Sequence, residues 1–265
     1  MQLRLIDTGF NDAFANMAID EALAINCKEP ILRIYQWKPK AVSIGYNQNM
    51  QKEINSEFCR KNNIDVVRRI TGGKAVFHEN ELTYSFIIPE KLNLLPQNIV
   101  ESYKIIANAL VIALKKIGIN ANIRKINEKI NTPICFNSSS WHELTVNGRK
   151  ISGSAQRRFE GKMLQHGPIS IDFDYKTNSL LFKSNNEIDN IDNLKKRITS
   201  ISNELNKEID IKKLKDALRH GFEKNFDFGI VADSLNNDEK LLATKLLKEK
   251  YLTDEWNYGL LTKTI

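Results

Sequence analysis

The sequence predicts an α/β domain of the α+β kind, with a mostly antiparallel mixed sheet, flanking helices and a small helical C-terminal tail. Three patterns point there. Nine β-like runs alternate with only a few helical stretches before residue 185, and the periodicity turns helical after residue 190. Between Leu144-Thr145-Val146 and Lys150-Ile151 stands Asn147-Gly148, the strongest short hairpin signal in the chain. The 265 residues are 42% hydrophobic and 27% charged, an ordinary globular balance that excludes collagen-like, disordered and coiled-coil architectures.

The predicted strands are Leu3–Ile6, Ile31–Trp37, Ala41–Gly45, Asp65–Ile70, Leu82–Ile88, Asn120–Lys125, Glu143–Val146, Lys150–Arg157 and Met163–Phe173. A helix begins near Asp12, which can cap it, and presents Phe14, Met17, Ala18, Ala22 and Ile25 on one face. A second runs from about Ile99 to Ile117, with Gly118 as its stop. Ile211–Phe222 and Glu239–Tyr251 are the helices of the tail. The division falls near residue 185: residues 1–185 form the main domain, and 186–265 a small helical extension packed on it.

The longest apolar run, Ala109–Leu114, is far short of the roughly 20 residues a membrane span needs, so no membrane association is expected. Leu3 and Leu5 alternate with Arg4 in place of the layout of a signal peptide, which points to a cytoplasmic protein. The three cysteines, at 27, 59 and 135, have no C-x-x-C spacing, so neither a disulfide framework nor a metal site is expected. A net charge of +7 favours acidic partners, but a basic stripe with interleaved aromatics is missing, and no nucleic-acid partner is expected.

Four segments have compositions that packing alone does not explain. In Arg68-Arg69-Ile70-Thr71-Gly72-Gly73-Lys74, a strand ends in paired glycines among cations. Such glycines let backbone amides approach a carboxylate, phosphate or carbonyl, although a plain β-turn accounts for the spacing equally well. Cys135 sits in an Asn/Ser-rich loop, where exposure permits nucleophilic chemistry if a cation lowers its pKa; Cys27 and Cys59 read as buried small hydrophobes. Ser152, Gly153, Ser154 and Ala155 are successive small residues that leave room for a ligand or for another backbone. His166, isolated in Gln165-His166-Gly167, reads as a hydrogen-bonded structural residue.

Together Arg69–His78, Gly148–Gln156, Gln165-His166-Gly167 and the closing Lys250–Asn257 resemble the lipoate-protein ligase and octanoyltransferase superfamily. The resemblance covers nearly the whole chain and implies the fold shared with biotin-protein ligase and related to class II synthetase catalytic domains. Cys135 in Ile134-Cys135-Phe136, followed by Lys150, is similar to the cysteine-dependent octanoyltransferase branch. The implied reaction carries octanoyl from octanoyl-acyl carrier protein, through a cysteine thioester, to a lysine of a lipoyl-accepting protein such as glycine cleavage H protein or a lipoyl domain. Cys135 and Lys150 are then the catalytic pair. Arg69, Gly72, Gly73, His78, Ser152, Gly153 and Ser154 are the candidate substrate-binding residues. Oxyanion donors are sought at Gly72-Gly73 or on the small-residue strand, without a choice between them. No cofactor is implied. The alternatives are an ATP-dependent lipoate ligase, whose family usually has glycine where this chain has Lys74, and an amidotransferase acting between lipoyl domains.

Overall fold

The computed structural model describes residues 1–125, 142–183 and 191–259. The chain runs β1 (Gln2–Asn11), α1 (Ala13–Asn26), β2 (Ile31–Trp37) and β3 (Ala41–Ile44), then two short helices, α2 (Met50–Glu53) and α3 (Ser56–Lys61). Three strands follow, β4 (Asp65–Arg68), β5 (Val76–His78) and β6 (Glu81–Pro89), and then the long helix α4 (Ile99–Lys116). Next come β7 (Asn122–Lys125), β8 (His142–Val146), β9 (Arg149–Ser152), β10 (Ala155–Phe159) and β11 (Lys162–Ser170). After α5 (Tyr175–Leu181), α6 (Ile191–Arg197) and α7 (Ile201–Leu205), the chain closes with α8 (Ile211–Phe226), β12 (Gly229–Asp233), α9 (Asn237–Leu246) and α10 (Asp254–Tyr258).

A nine-stranded sheet has the order β12-β1-β2-β6-β11-β9-β8-β7, with β10 paired to β11; β4-β3-β5 form a separate small sheet. β1 pairs in parallel with β2 and β12, and β3 with β4, while the other strand pairings are antiparallel. The central strand β6 is buried along its whole length because both of its faces are covered. Leu82, Tyr84, Phe86 and Ile88 face Ile106, Leu110 and Leu114 of α4 and Leu214, Leu218 and Phe222 of α8. Ile87, one step out of phase, joins Ile31, Tyr35 and Leu164 against Met17, Ala18 and Leu23 of α1. The small sheet has its own core of Val42, Ile44, Phe77, Leu181 and Leu194.

Local chemistry sets the boundaries. Asp12 caps α1, its Oδ1 accepting from the Ala15 amide at 2.7 Å. Asn98 caps α4, and Gly118 follows its end with φ +91°. Helix α1 lies between the large sheet and α9, so Asn16, Asp20 and Glu21 are buried as well as the expected Met17, Ala18 and Ala22; the apolar stripe understates how much of it is covered.

Two further expectations change. The single strand Lys150–Arg157 is two strands, β9 and β10, because the chain breaks step at Gly153-Ser154 where it crosses Gly167. The residues after 185 supply a strand as well as helices: β12 extends the sheet beside β1, pairing Gln2 with Gly229. Among the described residues, no helix is long and apolar enough to cross a membrane.

Candidate active site

The glycine segment leaves β4 as a turn wrapped around the buried Arg69 guanidinium. Arg69 Nη2 donates to the carbonyls of Gly72 at 2.7 Å and Lys74 at 2.8 Å. Thr71 O accepts from the Tyr46 amide at 2.9 Å. Gly73, at φ +88°, turns its carbonyl against Gly45 so closely that a Cβ on Gly45 would lie 2.0 Å from that oxygen. Four successive carbonyls therefore face inward. The C=O and N–H of a trans peptide point in opposite directions, so the amides of residues 72 to 74 face the other way, a row of donors suited to an anion or a polarised carbonyl, while Ala75 is fully buried.

The second part comes from the hairpin. Asn147 and Gly148 take φ of +51° and +78°, as a two-residue primed turn requires, and the register aligns Lys150 with Thr145. Glu143, two residues from Thr145 on the same strand, is then the diagonal neighbour of Lys150. The Lys150 ammonium donates to Glu143 Oε1 at 2.6 Å, and the two side chains are buried. Ile151 bulges from the ladder beside this pair. A Cβ on Gly153 would lie 2.8 Å from Lys150 Cε and 3.1 Å from Nζ, so the bare backbone at 153 makes the space the ammonium arm occupies. Gly167 of β11 packs as tightly from the other side, where a Cβ would meet the Gly153 carbonyl at 2.2 Å.

These parts converge. A Cβ on Gly73 would stand 3.9 Å from Ala155 Cβ, and Arg157 Nη1 donates to Ile70 O at 2.8 Å, tying β10 to the glycine turn. Ser154 Oγ bonds the Tyr84 hydroxyl at 2.7 Å, and Tyr84 accepts from Gln165 Nε2 at 2.9 Å. Ser152 is turned inward, its hydroxyl donating to Pro168 O at 2.6 Å. His78 lies beneath the glycine turn, stacked on Trp37 at 3.9 Å, with Nε2 on Ser43 Oγ and Nδ1 on Glu81. His166 is a hydrogen-bonded buried residue, as its setting in the sequence suggests, between Thr71 Oγ1 at 2.7 Å and Asp20 Oδ2 at 2.8 Å.

Burial lowers the pKa of His166 against the pull of Asp20, and the nearby Arg69 cation adds to the lowering. Burial alone would raise the Asp20 carboxyl, but Arg33 and His166 outweigh it and hold the pKa low. The unfolded chain takes up a proton at the ordinary histidine pKa of about 6.5, whereas folded His166 resists it, so stability is full above that value and declines as pH falls below it. Urea unfolding at pH 7, 6 and 5 should show a steeper loss for wild type than for His166→Gln, by at most about 1.4 kcal/mol per pH unit. Equal slopes would remove His166 as the source.

Cys27 and Cys59 are buried, which pushes their thiols up to about 12 and about 11, values unsuited to a nucleophile at neutral pH. Cys135 lies outside the described residues. Among the described residues, no cluster of three or more His, Cys, Asp or Glu side chains is able to hold a metal ion. Glu143, Asp20 and Tyr84 belong to this constellation without being singled out by the sequence. Of these only Glu143 had a readable signal, since the Asn147-Gly148 turn fixes which residues lie diagonal to Lys150.

The family described as Lipoyl protein ligase A/B catalytic domain matches residues 12–223. Octanoyltransferase LipM of Bacillus subtilis (strain 168) is 36% identical over 96% of this chain and 97% of its own length. Octanoyltransferase LipM of Clostridioides difficile (strain 630) is 39% identical over 97% and 98%. Among solved structures, lipoate-protein ligase A bound with ATP superposes with TM-score 0.84 at 26% identity, covering 98% of this chain and all of that one. The bi-partite lipoate protein ligase of Thermoplasma acidophilum gives TM-score 0.83 at 26% identity, covering 100% and 98%. With four-fifths of its length matched, and with the glycine turn, the Lys150 hairpin and the Gln165-His166-Gly167 strand meeting in one place, the chain belongs to the lipoyl protein ligase A/B catalytic domain family.

Proposed function

We propose that this protein is an octanoyltransferase of lipoate biosynthesis, moving octanoyl from a carrier-protein thioester, through Cys135, to a lysine of a lipoyl-accepting protein. The observation that carries it is identity of 36% and 39% to octanoyltransferases over nearly the full length of both chains, against 26% to the solved ligases. The chemistry balances without a nucleotide. The Cys135 thiolate attacks the thioester carbonyl, and the carrier thiolate leaves and takes a proton. The acceptor amine then attacks the enzyme thioester, gives up its proton as the amide forms, and returns the thiolate. We assign to Lys150, whose side chain bonds Glu143, the movement of those protons. The amides at Gly72 and Gly73 suit the oxyanion of either step. Arg69 shapes that turn, and the bare backbone at Gly153 with Ser154 lines the way to Lys150. Sequestering an octanoyl chain at about 0.8 kcal/mol per methylene contributes roughly 5–6 kcal/mol of gross binding.

The test crosses two donors, octanoyl carrier protein and free octanoate, with and without ATP and magnesium, for wild type and Cys135→Ala. Wild type should octanoylate an apo lipoyl domain from the carrier without nucleotide, leave free octanoate untouched, and show an acyl adduct on Cys135 by peptide mapping. Product from free octanoate plus ATP in Cys135→Ala would overturn the transferase reading in favour of a ligase.

A further inference from the structure

Arg69 stands at the meeting point of two hydroxyl–imidazole–carboxylate relays of the same polarity. A guanidinium only donates. Its Nε donates to Thr71 Oγ1 at 3.1 Å, and its Nη1 to Ser43 Oγ at 3.2 Å and Ser43 O at 2.9 Å. Each hydroxyl also lies 2.7 Å from an imidazole Nε2: Thr71 from that of His166, and Ser43 from that of His78. A carboxylate only accepts, so each Nδ1 carries a proton and donates it at 2.8 Å, His166 to Asp20 Oδ2 and His78 to Glu81 Oε1, and a neutral ring takes the hydroxyl's proton at Nε2.

The far ends are anchored as firmly. Asp20 accepts from Arg33 Nη1 at 2.6 Å and from the Tyr35 hydroxyl at 2.8 Å. Glu81 accepts from Thr83 Oγ1 at 2.6 Å, which itself accepts from Trp37 Nε1 at 2.8 Å. All of these side chains are buried. Their elements differ: one relay reaches α1 through β11, and the other crosses the small sheet to β6. Arg69 is thus fixed from two sides, which leaves Nη2 directed at the Gly72 and Lys74 carbonyls that set the glycine turn.

We propose that His166 and His78 are positioning residues which, through Thr71, Ser43 and Arg69, hold the outward amides of the glycine turn in place for the carbonyl oxygen of the acyl donor. Neither imidazole is a general base, since both ring nitrogens are committed within the relay. The depressed pKa of His166 agrees with a neutral ring. A buried imidazolium there would set an N–H against a hydroxyl whose own proton then loses its acceptor. The part played in turnover rests on the acyl-transfer reading; the polarity of the relays does not.

Two measurements on the full chain test it. Ring-nitrogen NMR at pH 7.5, with signals assigned by single His→Gln variants, should show His78 and His166 protonated on Nδ1 and bare on Nε2. The opposite tautomer, or a charged ring, at either residue would overturn the relays. Thr71→Val keeps the shape of the side chain and deletes the hydroxyl. It should lower kcat for octanoyl transfer about 10- to 100-fold with KM for the donor little changed, while Thr71→Ser restores most of the rate. Wild-type kcat in Thr71→Val would reduce Thr71 to packing and overturn the positioning role. The tautomers can be read whether or not the wild type transfers octanoyl, so the relays and the proposed activity fail separately.

Discussion

Arg68→Ala is expected to destabilise the fold by about 3–5 kcal/mol, with a fall in Tm of roughly 10 °C, more than any other single truncation in the glycine segment. The Arg68 guanidinium is buried among carbonyl oxygens. Nε reaches Trp256 O at 2.8 Å; Nη1 reaches Gly45, Tyr46 and Gln48 at 3.3, 2.7 and 2.8 Å; Nη2 reaches Asn257 and Gly259 at 3.2 and 3.1 Å. Burial lowers its pKa, a sign that the cation is held by dipoles at a desolvation cost. Its backbone continues the same junction, accepting from Trp256 Nε1 at 2.8 Å and donating to Asn257 Oδ1 at 2.9 Å.

Truncation takes a donor from six carbonyls, of which Gly45 O keeps the Gln48 amide at 3.0 Å, and opens a cavity where the closing segment meets the strand that leads into the glycine turn. Trp256 fluorescence should shift to the red, and a protease should cut near residues 254–259 before it cuts elsewhere. Urea unfolding supplies the free energy, and a change under 1 kcal/mol would show that water replaces the guanidinium at little cost. Arg68→Lys should recover only part of the loss, because one ammonium has three donors and no fork.

The contrast between Arg68 and Lys150 shows what was legible in the sequence. Local signals held wherever a short stretch of chain decides the outcome. Asp12 caps its helix, Gly118 ends one, and Asn147-Gly148 turns β8 into β9 and so places Lys150. Long-range pairing left no such trace. β12 adds to β1 across more than two hundred residues, and its burial pattern is almost wholly exposed, so neither periodicity nor a turn announces it. The break at Gly153-Ser154 is set by Gly167 on another strand, and a run of small residues reads as one continuous strand until that neighbour is known. The turn at Glu160-Gly161 also takes two positive φ values, +48° and +70°, but glutamate is an unusual first residue there and gives no hairpin signature. Buried polar partners are the least legible class, since nothing near Asp20 in sequence indicates His166, and nothing near Arg68 indicates Trp256.

Lys150→Ala should lower kcat/KM for octanoyl transfer about 10²- to 10⁴-fold, the range for losing a positioned proton-transfer group. If its ammonium also favours the reactive thiolate, the pH profile of inactivation by iodoacetamide should move to higher pH in the same variant. Loss of activity alone does not separate chemistry from folding, because Lys150 and Glu143 form a buried pair, and Glu143→Ala, which leaves the ammonium without that carboxylate, should cost about 3–5 kcal/mol of stability.

Gly153→Ala makes the separation. Its new methyl would stand 2.8 Å from Lys150 Cε, and the atom that must yield is the far end of a flexible side chain rather than backbone. The methyl therefore displaces the ammonium without opening the core. The expected result is a fall in kcat of at least about tenfold with Tm within a few degrees of wild type, since misplacing a reacting group by about 1 Å costs up to a hundredfold. Gly167→Ala is the control, because its methyl would strike the Gly153 carbonyl at 2.2 Å, a backbone clash that should destabilise the protein outright. If Gly153→Ala kept wild-type kcat while a crystal structure showed Lys150 displaced, the amine would have no part in the transfer, and the proton would have to leave by another route.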